Sequence, residues 1–416
     1  MAQELIDIET ARRTVLDAVK PVGAEDVPLR GALGRVLATD VEASESIPPF
    51  DNSAMDGYAV RSLDTAGASP ARPLRLSVID ESRAGSPAAA RVGEGEAIAI
   101  STGAMLPRGC DAVVRVEDTV AVDGAIEVRG EIEPGRDVRR AGDDVGPGEV
   151  VLRRGTVLGP AEIGVLASLG QGSVRCARRP RVGVLTTGDE LTEPGEELGP
   201  GDIHDANAYS VPALAIGAGG DITAVGHAGD EEGATLAAIR GLLDADVAVI
   251  CGGVSVGEHD HVRPVLERLG VAERFWGVAL RPGRPTWFGV SRDGSLVFGL
   301  PGNPVSAMVT FLLFVRPALL ASAGADPASA RLTATLDERY AKRPGRAHAA
   351  RVRLDLRDDG WHARLTKEQG SHVLTSMLGA DGLAFIPGSS GEVPAGGPVE
   401  VELLRAPVGA ASMDAR

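Results

Sequence analysis

Short apolar runs alternate with longer, helically spaced stretches between residue 181 and about residue 324. The apolar runs at 182–186, 247–251 and 296–300 have the length of strands, and each ends in glycine and polar residues. Alternation of this kind predicts a doubly wound α/β domain, in which a mostly parallel sheet carries helices on both faces. The helical spacing predicts helices over residues 208–216, 231–243, 261–269 and 305–321.

The rest of the chain follows other patterns. An amphipathic stretch at residues 8–19 is ended by Pro21, and helical spacing returns at residues 160–169. Between them lie short β-like runs, separated by glycine, proline and aspartate, and β alternation returns after Pro327. We therefore expect a multidomain α/β plus β protein with an N-terminal helical scaffold (1–45 with 149–180), an inserted small β domain (46–148), an α/β domain (181–325) and a C-terminal β domain (326–416).

Composition narrows the class of protein. The chain has 416 residues, of which 44% are hydrophobic, so it is long enough for several packed domains. It shows no uninterrupted apolar run of about 18 residues, and its first residues lack the pattern of a signal peptide, so we expect a cytoplasmic protein without a membrane span. Cys110, Cys176 and Cys251 are too few and too scattered for a disulfide framework.

The charge balance limits the partners. A net charge of −16 argues against a nucleic-acid or acidic-membrane binder, because contact with phosphates needs a basic face. An anionic substrate must therefore meet local cations. Of the 42 basic residues only Lys20, Lys342 and Lys367 are lysines, which indicates a compositional bias toward arginine.

Three strand ends carry loops typical of a ligand site. The segments are RVGVLTTGDEL at 181–191, DVAVICGGVSVGEHD at 246–260 and SLVFGLPGNPVS at 295–306. The carboxyl ends of parallel strands lie at one edge of a sheet, so we expect one shared cleft there. Gly252, Gly253, Ser255 and Gly257 offer close backbone approach and N–H donors to an anion. Pro301 and Pro304 stiffen the turn at Gly302 and Asn303, with Ser306 at the start of the next helix.

Other motif interpretations are weaker. Residues 253–257 match the G-x-S-x-G pattern of a nucleophile elbow, but the later histidines His348, His362 and His372 belong to the predicted C-terminal β domain. The chain has no Gly-Lys-Ser or Gly-Lys-Thr sequence, which excludes a P-loop. The alternate histidines His259 and His261 suggest a metal cluster, although such residues at a strand-to-helix turn usually face solvent or cap the helix.

Several motifs together resemble one family. They are IPPFDNSAMDGYAVR at 47–61, TTGDEL at 186–191, GGVSVGEHD at 252–260, RPGRP at 281–285 and LPGNPVSA at 300–307. This set, spread over almost the whole chain, resembles the molybdopterin molybdenumtransferase (MoeA) family, to which the carboxyl-terminal part of gephyrin also belongs. The resemblance implies a homodimer of four-domain chains that inserts molybdate into adenylylated molybdopterin and releases AMP. Molybdopterin adenylyltransferases share the α/β domain alone, and the N-terminal 180 residues and the β tail argue against that activity.

The resemblance also implies a set of functional residues. Six acidic or hydroxyl residues are candidates for catalysis, and the strand-end loops are candidates for substrate binding. The hard cation Mg²⁺ favours carboxylate oxygens, which Asp189 and Glu190 can supply. Asp189 and Glu190 also suit the N-terminus of a helix, where the helix dipole favours acids. Asp205 and Asn207 are candidate substrate contacts and suit an Asx-type helix start equally well. The catalytic candidates are Asp56, Thr102, Asp144, Glu190, Asp230 and Asp260; the substrate candidates are Thr187, Gly188, Asp189, Asp205, Asn207, Gly252, Gly253, Ser255, Gly257, Pro301, Gly302, Asn303, Pro304 and Ser306; the metal candidates are Asp189, Glu190 and Asp260.

Molybdate is a dianion, and the resemblance assigns it to Arg281, Arg284, Arg351 and Ser371. The family usually has lysine at the first two positions, and arginine keeps the charge while changing the donor geometry. His261 is a further departure, because relatives often have tyrosine there. The sequence does not decide between molybdate and tungstate.

A scaffold role is the alternative. Gephyrin-like members bind a partner's peptide, and a chain that retained only this role would not need Asp56, Glu190, Asp260 and PGNP together. The resemblance also implies contact with a molybdopterin adenylyltransferase and with molybdoenzyme maturation factors. We expect an enzyme.

Overall fold

A computed structural model describes residues 5–254 and 261–405 of the chain. The chain forms two compact units. The larger unit comprises residues 1–26, 34–38 and 175–416, and the smaller unit comprises residues 27–33 and 39–174.

The helices and strands are numbered in chain order over the described residues. The helices are α1 (Ile8–Ala18), α2 (Pro160–Ser168), α3 (Asn207–Gly217), α4 (Glu232–Leu242), α5 (Val262–Arg268), α6 (Pro304–Thr310) and α7 (Arg316–Ser322), and a π-helical segment, Phe311–Val315, joins the last two. The strands are β1 (Ala24–Pro28), β2 (Val41–Glu42), β3 (Asn52–Ser53), β4 (Gly57–Val60), β5 (Leu74–Ser82), β6 (Glu96–Ile100), β7 (Ala112–Arg115), β8 (Thr119–Val122), β9 (Ala125–Val128), β10 (Val138–Arg139), β11 (Val150–Leu152), β12 (Ser173–Ala177), β13 (Arg181–Thr187), β14 (Leu191–Thr192), β15 (Ile203–His204), β16 (Asp221–Ala228), β17 (Val247–Cys251), β18 (Ala272–Trp276), β19 (Leu280–Arg281), β20 (Trp287–Val290), β21 (Leu296–Leu300), β22 (Arg331–Leu336), β23 (Tyr340–Ala341), β24 (Ala347–Arg357), β25 (Gly360–Leu365), β26 (Gly382–Ile386), β27 (Glu392–Val393) and β28 (Pro398–Leu403).

The central sheet of the larger unit has the order β16-β13-β17-β21-β20-β18. Strands β16, β13, β17 and β21 are parallel, and β20 and β18 join antiparallel at one edge. The predicted α/β sheet is thus confirmed, and its strands at 247–251 and 296–300 have the predicted bounds. Val247, Val249 and Phe298 are fully buried on one face, and Ala248, Ile250 and Val297 are fully buried on the other. Burial on both faces explains why these strands are continuous apolar runs.

The chain order of this sheet places a crevice beside β13. After β13 the chain crosses to β16 on one side and then returns to β17 on the other. The strand order therefore reverses between β13 and β17, and such a switch point opens a crevice beyond the carboxyl ends of the strands.

Two helices show how local sequence defines the elements. Asp7 starts α1, because its carboxylate accepts hydrogen bonds from Thr10 N (2.8 Å) and Thr10 Oγ1 (2.7 Å), which lower the pKa of Asp7. The helical stretch Pro304–Ser322 is, by length and composition, apolar enough to cross a membrane. However, 78% of its most apolar window is buried inside the fold, as expected of a core helix.

The second sheet of the larger unit has the order β19-β24-β25-β22-β28-β26, and β26 also pairs with β24. The predicted β alternation after Pro327 corresponds to strands of this sheet, including β24 and β28. The short strand β19 lies parallel to the start of β24, with Arg281 opposite His348. This pairing brings the RPGRP segment onto the edge of the second sheet.

The smaller unit is built on the sheet β7-β4-β6-β5-β9-β8. Its core contains Val60, Ala97, Val114 and Ile126, all fully buried. Strands β4 to β9 lie within residues 46–148, and β2 pairs with β11, which precedes α2 in sequence. The proposed division of the chain into four domains stays a prediction.

Candidate functional site

A cavity of about 490 Å³ lies at the carboxyl ends of β13, β17 and β21, beside the switch point. Eleven of the sequence-predicted residues line it, together with five that were not predicted. The predicted lining residues are Thr187, Gly188, Glu190, Asn207, Asp230, Gly252, Gly253, Pro301, Gly302, Asn303 and Pro304, and the added ones are Cys251, Leu191, Ile203, Val254 and Pro285.

The glycines after β17 are required by close packing. Gly252 and Gly253 have φ values of +99° and +61°, and a Cβ on Gly252 would lie 2.7 Å from Thr187 Oγ1 and 2.8 Å from the Thr187 carbonyl oxygen. The Gly252 N–H already donates to the Leu300 carbonyl (3.0 Å). The expectation that Gly252 donates its N–H to an anion therefore does not hold, and this residue contributes close backbone approach instead.

Two acidic side chains line the cavity. Glu190 lies two residues after Gly188, where the absence of a Cβ leaves room for the Glu190 carboxylate. Asp230 follows β16, and its N–H donates to the Asp189 carboxylate (3.0 Å). Asp189 does not line the cavity, and in this structure its carboxylate holds the Asp230 loop.

Asn207 has a free acceptor. Its Nδ2 donates to the Gly302 carbonyl (2.7 Å), which ties α3 to the PGNP turn. Its Oδ1 is buried and has no partner among the described residues, and an unpaired buried acceptor is costly. Asp205 lies behind Asn207 and accepts from Asn207 N and Ala208 N, both at 3.0 Å. Asp205 thus starts α3, while Asn207 lines the cavity with its Oδ1 left without a donor among the described residues.

The RPGRP segment connects the cavity with a group of cations. Pro285 lines the cavity, while Arg281 pairs in register with His348 on β24. Burial, followed by the charges of Arg281 and Arg284, lowers the pKa of Arg346. We define the cation cluster as the basic side chains around this segment; it comprises Arg281, Arg284, Lys342, Arg346 and Arg351.

The cation cluster has no acidic partner within the described part of the chain. Over residues 5–254 and 261–405, none of its five members forms an ion pair with a carboxylate. Arg281 and Arg284 are exposed, Lys342 and Arg346 are partly buried, and Arg351 is buried. Like charges that lie close together repel one another, and a bound anion relieves this repulsion. In a protein with a net charge of −16 this arrangement favours a bound oxyanion.

Arg351 is the most buried cation of the cluster, with 1% of its surface exposed. Its Nε donates to Ser376 Oγ (3.0 Å) and its Nη2 to the Gly370 carbonyl (3.1 Å), next to Ser371. Burial lowers the pKa of Arg351 to about 10, so the guanidinium stays protonated at neutral pH. The neighbouring His348 is neutral at the same pH, because its pKa is lowered to about 4 by burial and then by the charges of Arg281, Lys342 and Arg346.

Cys251 lines the cavity but is not a nucleophile in this setting. The thiol is 1% exposed, and burial raises the pKa of Cys251 far above neutrality. A reactive thiol needs the opposite, a depressed pKa. The sequence-based interpretation of Cys251 as a packed strand-end residue agrees with this placement.

Three predicted catalytic residues lie in the smaller unit. Asp56 Oδ1 accepts hydrogen bonds from Thr102 N (2.8 Å) and Thr102 Oγ1 (3.2 Å). Asp144 is exposed, and its N–H donates to the Ile47 carbonyl (3.0 Å). The motif at 47–61 and the loops that carry Thr102 and Asp144 therefore meet within this unit.

The remaining predicted residues fall in two groups. Ser306 is buried in α6 and does not line the cavity. Ser255, Gly257 and Asp260 lie outside the described residues. Over the part of the chain that the structure describes, no group of three or more His, Cys, Asp or Glu side chains is arranged to hold a metal ion.

Sequence reasoning missed two cations of the cluster, Arg346 and Lys342. They lie about 60 residues after the RPGRP segment, and the pairing of β19 with β24 brings them to it. No motif marks them in the sequence. They are recognised only in the structure, where they lie beside the cations of the RPGRP segment.

Comparison with known proteins covers nearly the whole chain. The MoeA N-terminal region (domain I and II) matches residues 6–170, the probable molybdopterin binding domain matches residues 183–321, and the MoeA C-terminal region (domain IV) matches residues 333–404. The α/β fold with a ligand cavity at its switch point is thus the molybdopterin-binding type.

Individual relatives agree with these matches. The chain is 36% identical to a molybdopterin molybdenumtransferase of Haemophilus influenzae over 406 residues, covering 96% of this chain and 98% of the relative. It is 37% identical to molybdopterin molybdenumtransferase 2 of Mycobacterium tuberculosis over 410 residues, covering 95% and 98%. The crystal structure of a molybdopterin biosynthesis MoeA protein from Pyrococcus horikosii superposes with a TM-score of 0.83 at 36% identity, covering 97% of this chain and all of that one. The chain belongs to the molybdopterin molybdenumtransferase (MoeA) family.

Proposed function

We propose that this protein is a molybdenum insertase, which transfers molybdate into adenylylated molybdopterin, releases AMP and so completes molybdenum cofactor. The observation that carries the proposal is the cation cluster, which has no acidic partners among the described residues and is joined by RPGRP to a glycine-lined cavity. This reaction needs two binding sites, a cavity for a large substrate and a separate site for a small dianion.

The residues divide the substrates by chemistry. Gly252 and Gly253 allow a pyrophosphate to approach the backbone without a side-chain clash. The buried Asn207 Oδ1 needs a hydrogen-bond donor, and the pyrophosphate diester of the substrate carries none at neutral pH, so this acceptor favours a ring N–H or a ribose O–H. The arginines of the cation cluster bind molybdate through their planar sets of donors.

Magnesium fits the acidic side of the cavity. Glu190 and Asp230 both line it, and Mg²⁺ is commonly held by one or two carboxylates together with substrate phosphate oxygens. When bound, Mg²⁺ neutralises charge on the phosphoanhydride. The proposal also includes a cytoplasmic homodimer that receives its substrate from a molybdopterin adenylyltransferase.

The role of Glu190 provides the test. Glu190→Gln keeps the shape of the side chain and removes its charge, so we expect AMP release from adenylylated molybdopterin, with Mg²⁺ and molybdate, to fall roughly a hundredfold. Glu196→Gln is the matched control, because Glu196 is exposed nearby and does not line the cavity. Equal rates for the two variants would contradict the proposed role of the cavity.

A further inference from the structure

Val254 is a buried, closely packed residue next to the glycines of the cavity. It lines the cavity, it is 2% exposed, and its side chain packs where a Cβ on Gly299 would stand, 2.6 Å away. A buried backbone carbonyl needs a hydrogen-bond donor. The donor is Trp276, 22 residues later in the chain, whose Nε1–H donates to the Val254 carbonyl at 2.8 Å.

Trp276 is itself held firmly. It is 6% exposed at the end of β18, and the guanidinium of Arg263 lies over its ring at 5.0 Å from the centroid. Arg263 also donates to Glu273 Oε2 (3.2 Å), on the same strand as Trp276. Arg263 belongs to the first turn of α5, so one indole connects Val254, after β17, with the beginning of α5.

We propose that Trp276 is a positioning residue for substrate binding, which acts by holding the Val254 carbonyl and thereby the backbone at Gly252 and Gly253. The inference rests on the proposed function, since it assigns the cavity to adenylylated molybdopterin. Trp276 does not line the cavity, so its effect passes through Val254 and not through contact with substrate.

The chain provides a matched control. Trp287 lies opposite Trp276 in register on β20, is 2% exposed, and donates its Nε1–H to Glu273 Oε2 (2.6 Å) instead of to a cavity residue. Trp276→Phe and Trp287→Phe therefore delete the same atoms and one hydrogen bond each. Only Trp276→Phe removes a hydrogen bond to the backbone of a cavity residue.

The first measurement needs no ligand. We expect hydrogen exchange in the backbone of residues 247–254 to accelerate in Trp276→Phe and to match the wild type in Trp287→Phe. Melting temperatures of both variants, measured in parallel, separate a local effect from a general loss of stability. Unchanged exchange in a folded Trp276→Phe variant would overturn the inference, whatever the substrate of the protein is.

The second measurement is substrate affinity and turnover. We expect the Kd of Trp276→Phe for adenylylated molybdopterin to rise roughly tenfold, the scale of one lost buried hydrogen bond, with kcat within about twofold of the wild type. Trp287→Phe retains the wild-type Kd. Equal affinity of Trp276→Phe and wild type would overturn the inference alone, whereas failure of the wild type to bind would overturn the proposed function.

Discussion

In the proposed reaction, individual arginines recognise molybdate. Arg281 and Arg284 come from the RPGRP segment, and Arg346 precedes β24. The charges of the first two lower the pKa of Arg346, which means that it lies close to both of them. A third cation beside two others is unfavourable in the free protein and becomes favourable when a dianion binds.

This arrangement leads to a prediction for Arg346. Arg346→Gln removes one charged donor, so we expect the Kd for molybdate to rise roughly tenfold or more, the scale of one hydrogen bond to a charged group. Arg343→Gln, an exposed position on the same loop, removes the same charge and serves as the control. The measurement is calorimetric titration with molybdate at fixed ionic strength. Equal effects of both substitutions would indicate a general charge effect and no specific site.

At the scale of elements, strand ends were the most predictable feature. The runs at 247–251 and 296–300 are buried on both faces, so their apolar patterns have sharp limits. The strand β16, by contrast, was not predicted, because its exposed edge position breaks the apolar pattern. The two-residue strand β19 gives no periodic signal at all, yet its pairing with β24 builds the cation cluster.

A second element-scale feature is a charged corner where β22, β24 and β25 meet. His362 on β25 contacts Asp337 through Nδ1 (2.8 Å) and Asp359 through Nε2 (3.0 Å). The hydrogen bond with Asp337 is the main cause of the raised pKa of His362. Arg357, which donates to Asp337 as well, opposes this shift. The corner therefore favours the protonated imidazole.

The pH dependence of stability follows from that shift. Because the pKa of His362 is higher in the folded chain than in the unfolded chain, its stabilising contribution is complete below about pH 6.5 and is lost as the pH rises through the folded-state value. We expect His362→Gln to lower the melting temperature at about pH 6 and to lower it much less at about pH 9. His372→Gln, at an exposed histidine, is the control. A difference between wild type and His362→Gln that does not change with pH would refute this role.

At the scale of the whole molecule, the chain is acidic, yet five cations come together around the RPGRP segment. The net charge of −16 disfavours anions in general, and the cation cluster reverses this locally. The charge balance of the sequence predicted that an anion must meet local cations, and the family resemblance assigned Arg281, Arg284 and Arg351 to molybdate. It did not predict Arg346, Lys342 or the anchoring indole of Trp276, because these depend on contacts between segments that are distant in the chain.

The most direct measurement is the dependence of AMP release on molybdate. Purified protein is incubated with adenylylated molybdopterin and Mg²⁺, and AMP and molybdenum-loaded pterin are measured as molybdate is titrated. For a molybdenum insertase, both products appear together and AMP release requires molybdate. Tight binding of adenylylated molybdopterin without molybdate-dependent release of AMP would contradict the central claim.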